Sequence, residues 1–179
     1  MKRSIRPLVL LLGCIAVYPV SAAPPAPYAG QERRDIKALS PEEINDYLAG
    51  KGMGLAKAAE LNRYPGPAHV LELAEPLQLS ADQKRRTEQV FNAMQAEAKR
   101  QGAVLVERER ALDRRFASGT IGAEELRSLL AEIGRVQAEI RRIHLHAHLE
   151  QKTILTPAQV DKYHALRGYG SHAGYAHRH

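Results

Sequence analysis

From Ser80 to Ala117 no proline interrupts the chain, and Gly102 is the only glycine. Phe91, Met94, Ala98, Leu105, Leu112 and Phe116 recur there at spacings of three, four and seven. That is the period of one helix face. Gln101 and Arg108 make the stripe imperfect. At ~1.5 Å per residue the helix would be a rod on the order of 55 Å long. A cleaner stripe follows between about Ala123 and Ile154: Leu126, Leu129, Ile133, Val136, Ile140, Ile143 and Ala147. Between the two stripes, "SGTIG" at 118–122 reads as a short turn. Two long helices joined in this way predict an antiparallel hairpin. Nowhere does the chain alternate with the period of two that a half-buried strand needs. The predicted fold class is therefore all-α.

Three similar pentapeptides mark helix starts. "LSPEE" stands at 39–43, "LSADQ" at 79–83 and "LTPAQ" at 155–159. A Ser or Thr followed three residues on by Glu or Gln is a capping box, each side chain satisfying the other's backbone N–H. Pro41 and Pro157 occupy the first helical position, where a missing N–H costs nothing. Leu39 can staple onto Ile44 and Leu155 onto Val160, whereas Leu79 meets Lys84. The boxes predict a short helix from Pro41 to about Ala49 and a last element after Thr156. "LAKAAEL" at 55–61 and "AHVLELAEPL" at 68–77 suit further short helices, with breaks at "GKGMG" (50–54) and "NRYPGP" (62–67). Residues 23–39 begin Pro-rich and predict an extended, mobile lead. The organisation expected is a leader (1–22), the lead (23–39), a helical domain (40–168) and a flexible Gly/His-rich tail (169–179). A hairpin buries its two stripes poorly without further cover. A second copy would supply it, so a homodimer is expected.

Composition adds an address. Lys2, Arg3 and Arg6 precede the apolar run "PLVLLLGCIAV", and "VSA" at 20–22 offers small residues before a cut. This predicts export to a periplasm with cleavage after Ala22. The alternative is a lipoprotein box, "LLGC", with a lipid on Cys14; the run continuing to Val17 favours the ordinary signal. Three of the six net positive charges belong to this leader, leaving +3 for the remainder. Those charges are interspersed, which argues against a nucleic-acid partner. No Gly-rich phosphate loop, nucleophile–base pair or cysteine ligand set is found, so the chain reads as a non-enzyme.

"LSADQ" opening the first long helix and "LTPAQ" opening the helix after the hairpin, behind an export signal, resemble the Spy/CpxP family of periplasmic stress proteins. Its relatives include the zinc-resistance-associated protein and periplasmic heavy-metal sensors. The resemblance covers roughly residues 68–168 and rests on Leu79, Ser80, Gln83, Leu155, Thr156 and Gln159. "LTPAQ" matches the Leu-Thr-x-x-Gln motif in full, and "LSADQ" carries Ser for Thr. Residues 28–67 lie outside the pattern and receive no role. The resemblance implies a cradle-like helical dimer. It also implies an ATP-independent chaperone for unfolded or misfolded periplasmic proteins, or a regulator of envelope-stress signalling with a membrane sensor protein as partner. A metal-binding accessory role is the alternative.

Two chemistries fit the residues. A face of short apolar side chains among cations can hold an unfolded client loosely. Its candidates are Arg85, Arg86, Met94, Lys99, Arg108, Arg110, Arg114 and Arg115. For metal, "HLHAH" sets His144 and His148 four residues apart on one helix face, flanking the apolar stripe and so expected to be accessible. His146 points elsewhere, His164 lies in the last helix, and His172, His177 and His179 lie in the tail. Imidazoles favour zinc, copper or nickel, with Glu150 or a dimer mate to complete the set. Without metal, the same histidines would gain charge near pH 6 and alter dimerisation or client affinity.

Overall fold

The computed structural model describes residues 26–169. The leader, Cys14 and the tail histidines His172, His177 and His179 lie outside the described residues. The chain divides into two units, 1–32 and 33–179. The first is described only over 26–32, as turns entering a 3-10 turn at Gln31–Arg33.

The second unit is all helical among its described residues. Its elements are α1 (Pro41–Leu48), α2 (Lys57–Glu60), α3 (Pro67–Glu72), α4 (Ala81–Ala117), α5 (Ala123–Ile154) and α6 (Pro157–Leu166). None of these helices is long and apolar enough to cross a membrane. All three capping boxes form, at Ser40, Ser80 and Thr156.

The principal packing is α4 against α5. Facing pairs show that α5 runs back along α4. Arg115 meets Glu125 at 2.7 Å near the turn, and Arg108 meets Glu132 at 2.9 Å further along. At the far end Gln151 Nε2 donates to Thr87 Oγ1 at 3.1 Å. Leu105, Ile133, Val136 and Ile140 form the core between them. From Ile133 onward the α5 stripe is buried as its spacing predicts. The α4 stripe departs from expectation at its end: Phe116 is 57% exposed, because only the first turn of α5 stands opposite it. Val106, off the predicted stripe, is buried instead.

Val106 is buried by the lead. Ile36 and Leu39 pack on it, with Ile44 and Tyr47 alongside. Full burial of Ile36 contributes about 2 kcal/mol. Lys37 reaches Asp113 at 3.0 Å and Asp35 reaches Arg110 at 3.1 Å. Residues 33–39 are therefore a docked segment rather than an extended lead. They begin a strap, residues 33–72, that crosses one side of the α4–α5 layer through α1, α2 and α3. Where α1 ends, the strap lies so close that a Cβ on Gly102 would sit 2.1 Å from the Tyr47 carbonyl oxygen.

The two Gln-bearing boxes meet at the other end of the layer. Gln83 Nε2 donates to the Ile154 carbonyl at 2.9 Å and to Gln159 Oε1 at 2.8 Å. Gln159 Nε2 donates to the Leu77 carbonyl at 3.3 Å and to Gln83 Oε1 at 3.1 Å. Each oxygen also accepts from its own cap's backbone N–H, Ser80 or Thr156. Each glutamine thus closes its own helix start and clasps the other. Beneath them Val70, Leu77, Leu155, Val160 and Tyr163 form a second core, against which Leu79 packs.

Candidate functional site

The side of the layer away from the strap carries a groove. On α4 the strap packs at positions 95, 99, 102, 106, 110 and 113. The groove is lined from positions 86, 89, 90, 93, 94, 97 and 101, a set centred opposite the first. At about 100° per residue these two sets lie on opposite sides of the helix. Three adjoining depressions make up the groove, of about 250, 200 and 680 Å³. The first two share Val90 and Glu150, and the last two share Arg142.

Val90, Ala93, Met94, Ile143 and Ala147 give the middle of the groove its apolar lining. Charges of both signs line the groove as well: Arg86, Arg135 and Arg142 among Glu97, Glu139 and Glu150. Arg142 and Glu139 pair at 2.6 Å. Their hydrogen bond holds the Glu139 carboxyl below the usual range and raises the Arg142 guanidinium above its own. His146, which points away from the core, stands in the groove 3.6 Å from Glu150. Such a surface can hold an apolar segment shallowly and pair charges beside it. Methionine adapts its shape to varied contacts.

Of the eight predicted client-binding residues, Arg86 and Met94 line this groove. The others are placed elsewhere. Arg85 pairs with Asp82 on its own helix, and Arg108 and Arg115 bridge to α5. Arg110 is held by Asp35 and Glu107, and Lys99 lies under Gly50. Arg114 is exposed in the last turn of α4. Spacing alone did not single out Val90, Ala93 or Ile143 as groove residues, because an apolar position on a helix reads as core.

The histidines are the larger correction. His144 is 3% exposed and His148 8% exposed, both beneath the strap. Among the described residues no group of three or more His, Cys, Asp or Glu is placed to hold a metal ion. The expected zinc, copper or nickel site at His144 and His148 is thereby overturned. The reason is that the strap, which the sequence left without a role, covers that face of α5.

What surrounds these histidines is a buried polar network. Tyr163, fully buried, donates its hydroxyl to Glu60 Oε1 at 2.6 Å. The Gly66 N–H donates to Glu60 Oε2 at 3.2 Å. Arg167 Nε lies 3.6 Å from Glu60 Oε1, and His148 Nδ1 lies 3.7 Å from Oε2. His148 Nδ1 donates to the Tyr64 carbonyl at 2.7 Å. A carbonyl only accepts, so this nitrogen carries the proton. Burial, then the bond to Glu60, pushes the Tyr163 phenol up. Burial, then the nearby His148, pushes His144 below the ordinary histidine value. Burial, then Arg63, does the same to His164, with Glu60 opposing. Glu60 ties α2 to α5 and α6; a single acid in "LAKAAEL" gave no sign of this. Comparison with protein-family models, with curated proteins and with solved structures returned no match.

Proposed function

We propose that this chain is a periplasmic, ATP-independent holding protein of the Spy/CpxP kind, which binds unfolded clients and limits their aggregation. The observation that carries the reading is the groove: an open apolar floor with alternating charge beside it, and none of the strap over it. A partly unfolded client offers apolar side chains for the floor and charges for the rim. Shallow contact of this kind releases as readily as it binds, so no nucleotide is needed. The α4–α5 pair acts as an antiparallel hairpin, and two copies form the cradle. The paired Leu-Ser/Thr-x-x-Gln boxes, clasped through Gln83 and Gln159, support the family likeness.

The test is suppression of aggregation of a chemically denatured model protein in nucleotide-free buffer. The wild-type chain is expected to suppress it at near-stoichiometric ratios. Val90→Asp with Met94→Asp, which charges the two partly exposed apolar positions of the groove floor on α4, is expected to abolish most of the effect while leaving helical content unchanged. Arg108→Gln, outside the groove, is expected to leave it intact. Equal protection by all three proteins would remove the groove from the reading. Sedimentation at micromolar concentration is expected to give a dimer, and a monomer alone would remove the cradle.

A further inference from the structure

Three imidazoles are buried against one short stretch of the strap. His144 Nδ1 would lie 3.9 Å from a Cβ on Gly52. His148 bonds the Tyr64 carbonyl, and its ring would stand 2.9 Å from a Cβ on Gly66. His164 of α6 feels Arg63 and Glu60. The stretch has little regular structure of its own: α2 is four residues long, and turns surround it. Segments so built open locally, well below the free energy of global unfolding. Leu55 within it packs on the cluster containing Ile140. Tyr47, Leu55 and α5 already border a depression of about 400 Å³ there.

We propose that residues 50–66 are an acid-released cover, which lifts from α5 and α6 below about pH 6 and uncovers the apolar surface of α5 around Ile140 for unfolded polypeptide. In the closed state the Nε2 atoms of His144 and His164 are buried and make no hydrogen bond among the described residues. A proton added there would be an N–H and a charge without an acceptor. Once the cover lifts, water reaches the rings and they protonate at their ordinary value.

The charged and titratable surroundings come from every packed element. Facing the cluster are His148 and Lys152 of α5, Glu60 of α2 and Arg63 just after it, Asp161 and Tyr163 of α6, and Arg167 and Tyr169 just beyond α6. Lys99 of α4 lies under Gly50 at the edge of the stretch. Glu60 favours protonation, whereas burial, Arg63 and the mutual nearness of His144 and His148 oppose it. The net direction at His144 and His164 is downward. Opening therefore takes up protons. The open fraction grows as pH falls through about 6.5, by up to about tenfold per pH unit for each histidine, until the closed-state values are reached. Use of the uncovered surface by clients rests on the holding reading; the lifting itself does not.

Hydrogen exchange of the full chain at about pH 7.5 and about pH 5.5, corrected for intrinsic rates, tests this. Amides of 50–66 are expected to lose protection by about tenfold at the lower pH, while amides of 98–106 and 133–143 keep theirs. In the double variant His144→Gln, His164→Gln the acid response is expected to flatten. Should that variant not fold, the ring protons of His144 and His164 in the wild-type chain, followed by NMR, are expected to titrate below about 6.5. Equal protection at both pH values, an undiminished response in the folded variant, or ring midpoints at or above the ordinary value would overturn the proposal. Acid-released protection without any gain in aggregation suppression would leave the cover standing and overturn client use of the uncovered surface, while the holding reading itself stands or falls with the groove variants at neutral pH.

Discussion

Two helix-interior glycines make a matched test of how the strap is seated. Gly102 in α4 and Gly134 in α5 both stand where alanine is the better helix former, by about 1 kcal/mol. At Gly134 a Cβ would meet nothing within 4 Å. At Gly102 it would meet the Tyr47 carbonyl oxygen at 2.1 Å and its carbon at 2.7 Å. Both are backbone, so no side chain can swing aside. To restore contact, α1 must retreat by about 1 Å from Val106 and its neighbours, loosening Leu39, Ile44 and Tyr47. Overpacking of this kind costs about 3 kcal/mol at the upper end of its range. Less the helix-propensity gain, Gly102→Ala loses about 2 kcal/mol, and at about 2–4 °C per kcal/mol for a chain of this size its melting temperature falls by about 4–8 °C. Gly134→Ala gains up to about 1 kcal/mol and rises by about 2–4 °C. Thermal melts by circular dichroism read both. If Gly102→Ala melted at or above the wild-type temperature, helix propensity alone would account for it, and the close seating of α1 would be wrong.

Other outcomes follow from the buried polar groups. Gln83→Ala removes a cap bond, two bonds with Gln159 and one to the Ile154 carbonyl; it is expected to cost about 2 kcal/mol in denaturant unfolding, with a coupling of about 1 kcal/mol to Gln159→Ala in a double-mutant cycle. Tyr163→Phe leaves Glu60 Oε1 without its buried donor and is expected to cost about 2 kcal/mol, read by denaturant midpoint at constant slope. Glu109 is buried and its carboxyl is raised above the ordinary range by that burial. The folded state therefore binds its proton more tightly than the unfolded state does, and Glu109 disfavours folding increasingly as pH rises through about 4.5. Glu109→Gln is accordingly expected to melt higher than wild type at neutral pH and to lose that advantage below about pH 4.

The parts of this fold that could be read in advance are those set by local chemistry. Ser40, Ser80 and Thr156 cap where their boxes say they should, because a cap needs only residues within four positions of it. The α5 stripe was legible from Ile133 onward because one partner helix runs its whole length and the spacing records that single direction. α4 serves two partners, α5 on one flank and the strap on the next, so its apolar positions spread and no one period describes them. Val106 was missed for that reason. The histidines were misread from the same cause. His144 and His148 flank the stripe, which means solvent only if nothing lies over that flank, and the strap lies over it. Glu60 was invisible because its partners are 6, 88, 103 and 107 positions away, at Gly66, His148, Tyr163 and Arg167.

Ends of helices ordinarily loosen one by one, each at its own modest cost. Where Gln83 and Gln159 hold each other, the beginnings of α4 and α6 and the carbonyls of Leu77 and Ile154 share a single fastening. Fraying at one start withdraws a partner from the other, so the two ends should melt in step. The long layer is thereby anchored at one extremity, while at the other, beside the exposed Phe116, the two helices are joined by the Arg115–Glu125 ion pair.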